Sequence, residues 1–162
     1  MNSNWPRWIK ASISSHFANL IGNANLIVVG ERRYVDEKND RFELKLNGPR
    51  VTNSTKNEYV LEYDVSLLII STSNESNIYE MEDYKSIGIN AFITSIPVYD
   101  NNDALVDCLT LKSDIVVRDF GFVSGTVYHV AIDAIYVFEK VDPQLYHETL
   151  TLGSTHSLEV SD

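Results

Sequence analysis

Four histidines, at positions 16, 129, 147 and 156, and a lone cysteine, Cys108, carry the most versatile ligand and nucleophile chemistry in this chain. No pair among them has the short spacing at which zinc ligands recur, so the sequence offers no metal centre. Cys108 stands among Leu105, Val106, Leu109 and Leu111, which predicts a buried, inert thiol. His16 falls on an apolar helix face with no His, Cys or carboxylate one turn away, which predicts a hydrogen-bonded residue at the edge of a core. Asp36, Lys38 and Asp40 resemble the opening of a calcium loop, but Arg41 stands where that loop needs glycine and Asn47 where it needs a bidentate glutamate. Asp107 and Asp133 lie in apolar strands and could share acid–base work if those strands met; their parity instead predicts solvated outer faces. There is no G-x-S-x-G elbow, phosphate-cradling glycine loop or dinucleotide fingerprint. The expectation is no enzyme: no catalytic residue, no cofactor, no metal. Two glycosylation sequons, at Asn53 and Asn74, receive no role, because the motif recurs by chance.

The apolar residues build long elements rather than a pocket. Tyr59, Leu61, Tyr63, Val65, Leu67 and Ile69 alternate with Glu58, Glu62, Asp64 and Ser66, and Tyr128, Val130, Ile132, Ala134, Tyr136 and Phe138 form a second alternating run. Period two means strand, and each run is roughly twice the usual length of about 5–6 residues. Such strands cross a whole sheet or project beyond one, which suits a scaffold.

Trp5, Trp8, Ile9, Ile13, Phe17, Leu20 and Ile21 follow the i, i+3, i+4, i+7 spacing of an amphipathic helix, with Asn4 placed to cap it, Pro6 in the first turn and Gly22 at its end. Leu26–Val29 predicts a short buried strand running on towards Tyr34, Val35–Asp40 a polar loop, and Phe42–Leu46 a strand that Asn47-Gly48-Pro49 breaks. That strand should pair antiparallel with Glu58–Ile70. A second helix with Met81, Tyr84, Ile87, Ala91 and Phe92 on one face stops before Pro97, and Ile89, Ile93 and Ile96 lie off that face. Gly88 within it costs about 1 kcal/mol relative to alanine, which predicts close packing there. Two or three strands follow, the last introduced by Asp119-Phe120-Gly121-Phe122. The fold class is therefore α+β: a mixed, mainly antiparallel sheet flanked by two helices, in the order α-β-β-β-α-β-β-β. Residues 1–141 form one domain, and the sparse pattern of 142–162 predicts a flexible or partner-ordered polar tail.

The 162-residue chain can bury a core without cross-links, and nothing in it approaches the roughly 20 apolar residues of a membrane span. The opening residues lack a charged lead and apolar run, which predicts synthesis in the cytoplasm. A net charge of −10 opposes general adhesion to nucleic acid or anionic lipid. The basic residues are nevertheless concentrated: Arg32, Arg33, Lys38, Arg41, Lys45, Arg50 and Lys56 fall within one 25-residue stretch, and no lysine or arginine follows Lys140. Arg32, Arg33, Lys38 and Arg41 are thus the candidate contacts to an acidic face on a neighbouring subunit or partner.

The element order, the segment Asn4-Trp5-Pro6-Arg7-Trp8-Ile9 and the strand Arg41-Phe42-Glu43-Leu44-Lys45-Leu46-Asn47-Gly48-Pro49 together resemble the small neck and tail-completion proteins of tailed bacteriophages, notably the tail terminators. The resemblance spans about residues 4–140 and is one of layout. It implies a structural virion protein made in the host cytoplasm, a homo-oligomer in the form of a hexameric ring, and a place between the tail tube and the connector or adaptor proteins. DNA would pass through such a ring without sequence-specific binding, and no membrane is involved. The polar tail after Asp142 departs from the compact members of that group. A head–tail adaptor, a baseplate protein, or a monomeric α+β module binding a ligand or peptide are the alternatives the sequence leaves open.

Overall fold

The computed structural model describes residues 2–22, 26–30, 40–52, 58–72, 77–123 and 127–141. In chain order these form α1 (Trp5–Ile21), β1 (Leu26–Val28), β2 (Arg41–Thr52), β3 (Glu58–Ser71), α2 (Asn77–Ile93), β4 (Ile96–Tyr99), β5 (Leu105–Leu111), β6 (Val116–Phe122) and β7 (Tyr128–Val141). The sheet runs β1-β2-β3-β7-β5-β4, with β6 also paired to β7. Among the described residues only the β1–β2 pairing is parallel. The mixed, mainly antiparallel sheet flanked by two helices is thus the fold the alternation pattern predicts.

Its spine is the β3–β7 pair, matched residue for residue from Glu58 opposite Val141 to Ser71 opposite Tyr128. Because the side-chain period is two, both alternating runs deliver their apolar sets to the same face. Leu61, Tyr63, Val65, Leu67 and Ile69 lie buried beside Val130, Ile132, Ala134, Tyr136 and Phe138. The helices cover that face. Trp5 of α1 meets Phe138 edge-on at 5.5 Å, Phe17 meets Phe92 of α2 at 5.0 Å, and Phe92 stacks on Tyr136 at 6.2 Å. The buried Tyr136 hydroxyl donates to the Phe92 carbonyl at 2.7 Å, which satisfies it. Gly88 explains itself here: a Cβ on it would stand 2.7 Å from Ile132 Cδ1 and 3.1 Å from Leu67 Cδ2, so glycine lets α2 approach the spine.

Several local expectations need correction. Asn47-Gly48-Pro49 does not break the second strand: β2 runs through it with a register shift between Asn47 and Arg50. Gly48 sits at φ +131°, and a Cβ there would lie 2.7 Å from the Glu62 carbonyl oxygen, so the residue admits a bulge where the sequence suggests an end. The second helix ends at Ile93, and Ile96–Tyr99 forms an additional strand, giving four strands after α2 among the described residues. Along α2, Met81, Gly88, Ala91 and Phe92 are buried, whereas Ile87 and Ile93 are exposed. Asn4 makes no side-chain cap, being itself in helical geometry. Cys108 is exposed, not buried, because it alternates with the buried Leu109 on a strand that pairs with β7 only through its last two residues, Thr110 and Leu111. His16 behaves as expected, with Nε2 2.8 Å from the Ala91 carbonyl oxygen. The predicted continuation beyond Gly30, the loop apart from Asp40, both sequons, His147, His156 and the tail 142–162 lie outside the described residues.

Candidate assembly surface

β7 is flanked on its second edge by β5 and β6 in turn. Thr110 faces Val137, Leu111 faces Tyr136, and pairing resumes with Val116 opposite Asp133. Between them the ladder is carried by Lys112, whose N–H donates to the Ile135 carbonyl at 2.8 Å, and by Ser113, whose Oγ accepts from the Ile135 N–H at 2.8 Å. The hydroxyl replaces a main-chain acceptor, so one edge bends without leaving Ile135 unpaired.

β6 differs from every other strand in what it exposes. Val116, Val117, Phe120, Phe122 and Val123 of this hairpin are between 39% and 55% exposed. Among the described residues β6 pairs only with β7, so its second edge offers free main-chain donors and acceptors beside apolar side chains. Edges of that kind pair with further strands. Phe120 occupies the register shift between Asp119 and Gly121, with the Arg118 guanidinium 5.5 Å from its ring centroid.

Charged contacts hold the hairpin from both faces. On the helix side, Lys85 of α2 donates to Asp119 and to Glu82, each at 2.7 Å, and the Tyr128 hydroxyl donates to Asp119 at 2.8 Å. Partial burial alone would raise the Asp119 carboxyl; the hydrogen bonds from Lys85, Tyr128 and the Gly121 N–H outweigh it and hold the group below its ordinary range. Burial would likewise lower Lys85, and its two carboxylate partners raise it instead. On the outer face Arg118 donates to Asp133 Oδ2 through Nε at 3.0 Å and a terminal nitrogen at 2.7 Å.

The two aspartates singled out for acid–base work do not meet in one site. Asp107 faces Lys140 at 3.4 Å and Asp133 is engaged by Arg118. Of the four candidate basic contacts, Arg32, Arg33 and Lys38 lie outside the described residues. Arg41 opens β2 with its side chain 16% exposed and its Nε 3.0 Å from Glu43 Oε1. The outer face also holds a charged cluster unforeseen in the sequence: the buried Glu62 accepts from Arg50 at 3.3 Å and from Lys112, while Arg50 also engages Asp64. The Arg50 hydrogen bond lowers the Asp64 carboxyl. Beside this cluster a groove of about 650 Å³ opens where β5 gives way to β6, lined by residues including Lys45, Asp64, Ser66, Asp114 and Asp133. In the sequence the hairpin is signalled by Asp119-Phe120-Gly121-Phe122, which there reads only as the lead-in to the final strand.

No family model matches the chain, and no curated protein does. Among solved structures it is similar to a chain of the virion of a native gene transfer agent particle, with a TM-score of 0.49 and 11% identity over 80% of this chain and 93% of that one. A second solved chain, bearing no functional name, gives a TM-score of 0.45 at 9% identity over 83% of this chain and 97% of that one.

Proposed function

We propose that this chain is a structural virion protein that works by assembly: a subunit of a ring of the tail-terminator or neck kind, seated between tail tube and head connector. The observation that carries the reading is the β6 hairpin, which among the described residues is an open strand edge with a row of exposed apolar side chains. A monomeric protein gains nothing by leaving such an edge unblunted, whereas a subunit uses it to recruit its neighbour. The chain's net charge of −10 supports the same role, because an acidic passage repels phosphate and lets DNA slide. The reading assigns no reaction and no cofactor. Native mass measurement across protein concentration, with electron microscopy of the same samples, tests it. The expected result is a closed ring, six-membered if the resemblance to tail terminators holds.

The outer-face groove favours a second reading, a monomeric module that takes a small ligand beside Asp64, Asp114 and Asp133. That reading predicts a monomer at every concentration together with stabilisation by a small molecule.

A further inference from the structure

β6 is held to the molecule by its main chain and by charge, and hardly at all by burial. Every residue of it except Gly121 is exposed, and Val116, Val117, Phe120 and Phe122 keep between 39% and 53% of their surface in solvent. Little apolar area on the strand itself is therefore given up when it leaves the sheet. The core beneath has its own cover. Ile132 of β7, the partner of Val117, is fully buried, and α2 lies so close that a Cβ on Gly88 would stand 2.7 Å from Ile132 Cδ1. Val130, the partner of Asp119, is likewise fully buried on the face that the helices cover.

The segment also has defined ends. Before it, Leu109 is buried, Leu111 pairs with Tyr136, and the Lys112 N–H and Ser113 Oγ hold Ile135. After it, the Val123 N–H donates to the Val127 carbonyl at 2.8 Å and β7 begins at Tyr128. Between these limits the contacts are the ladder to β7, interrupted between Asp119 and Gly121, the Phe122 ring edge-on to Tyr128 at 4.9 Å, and the ion pairs of Arg118 and Asp119. Among the described residues, the hydrogen-bonded link from β6 to an element other than β7 is the one from Lys85 of α2 to Asp119. The Lys85 side chain is 14% exposed against 55% for Arg118, so its pair is the better shielded of the two and the more costly to break. We infer that residues 114–123 form a strap that opens from β7 as one unit while the β3–β7 spine and both helices stay folded, with the Lys85–Asp119 pair as its latch. Opening exchanges one strand edge for another, because it uncovers the β7 main chain from Tyr128 to Asp133 that the closed strap occupies. The inference stands on the strap's own contacts and holds whether or not the chain forms a ring.

Hydrogen exchange of the full-length chain, resolved by residue and run below the concentration at which it associates, tests this with substitutions on opposite sides of β7. In the unaltered chain, the β6 amides that donate to β7 should exchange about a hundredfold or more faster than those of Leu61–Ile69 in β3. Phe17→Ala weakens the closed and open forms equally, since α1 is packed in both; it should speed the β3 amides about a hundredfold or more and leave the β6 amides unchanged. Lys85→Met weakens only the closed form and should speed the β6 amides about tenfold. Circular dichroism establishes that each variant is folded, and Ile13→Val, with a smaller effect on β3, replaces Phe17→Ala if that variant is not. β6 amides that accelerate in step with β3 under the α1 substitution would overturn the strap, since the hairpin would then open only with the core. β6 amides indifferent to Lys85→Met would overturn the latch.

Discussion

β3 and β6 both pair with β7, and they solve opposite problems. β3 matches β7 along its whole fourteen-residue length and sends alternate side chains into a core covered by α1 and α2. β6 matches only the first part of β7 over seven residues, and its side chains stay in solvent, tied down by Lys85 and Asp133. The same β7 backbone thus carries a buried spine on one edge and an open hairpin on the other. Stability resides in the first and, on the proposed reading, recruitment in the second, so substitutions on the two sides should separate folding from assembly.

Removing a ring from the spine side should have the largest effect. Phe17→Ala deletes a fully buried ring that touches Phe92, and should cost about 3–5 kcal/mol in a denaturant titration. An unchanged midpoint would place that ring outside the core and break the comparison at its stable end. Gly48→Ala comes next, since it forces a side chain into a left-handed backbone and against the Glu62 carbonyl; a loss of about 1–3 kcal/mol is expected, read as a lowered melting temperature.

The hairpin's tether should give a smaller, pH-dependent effect. Lys85→Met removes the link between α2 and Asp119, and should cost about 1–2 kcal/mol at neutral pH, allowing for the partial exposure of Asp119. The sign follows from the carboxylate. Asp119 is held below its ordinary range in the folded chain, so its contribution is full above the unfolded carboxylate value and is lost as pH falls through the folded one. The gap between Lys85→Met and the unaltered chain should therefore narrow in acid, and a gap that widens there would contradict the network. Smallest of all, Phe120→Lys should change the stability of the monomer by less than about 0.5 kcal/mol, because the ring is exposed. A large loss would mean that the hairpin belongs to the fold itself.

The spine was legible because period-two alternation is a local signal that also dictates burial, and Tyr59–Ile69 and Tyr128–Phe138 show it without interruption. The first helix was legible for the same reason at period 3.6. What escaped depended on partners distant in sequence. Ile96–Tyr99 looks like the end of an apolar helix until β5 is there to pair with it, and Cys108 looks buried until β5 is seen to pair with β7 only at its last two residues. Gly48-Pro49 carries the composition of a strand break, and only the continuing β3 ladder makes it a bulge. The candidate surface was half legible. Charge clustering pointed to Arg32, Arg33, Lys38 and Arg41, but which strand edge stays open is decided by sheet order, and adjacent residues do not encode that order.

Hydrogen exchange of the full-length chain across a protein concentration series tests the central claim most directly, because it reads main-chain pairing strand by strand. If β6 is the recruiting edge, the amides of Val116–Phe122 that point away from β7 exchange rapidly in the dilute monomer and become protected as rings form, while the fully paired β3 is equally protected at both extremes. Rings that form with no added protection along β6 would contradict the account.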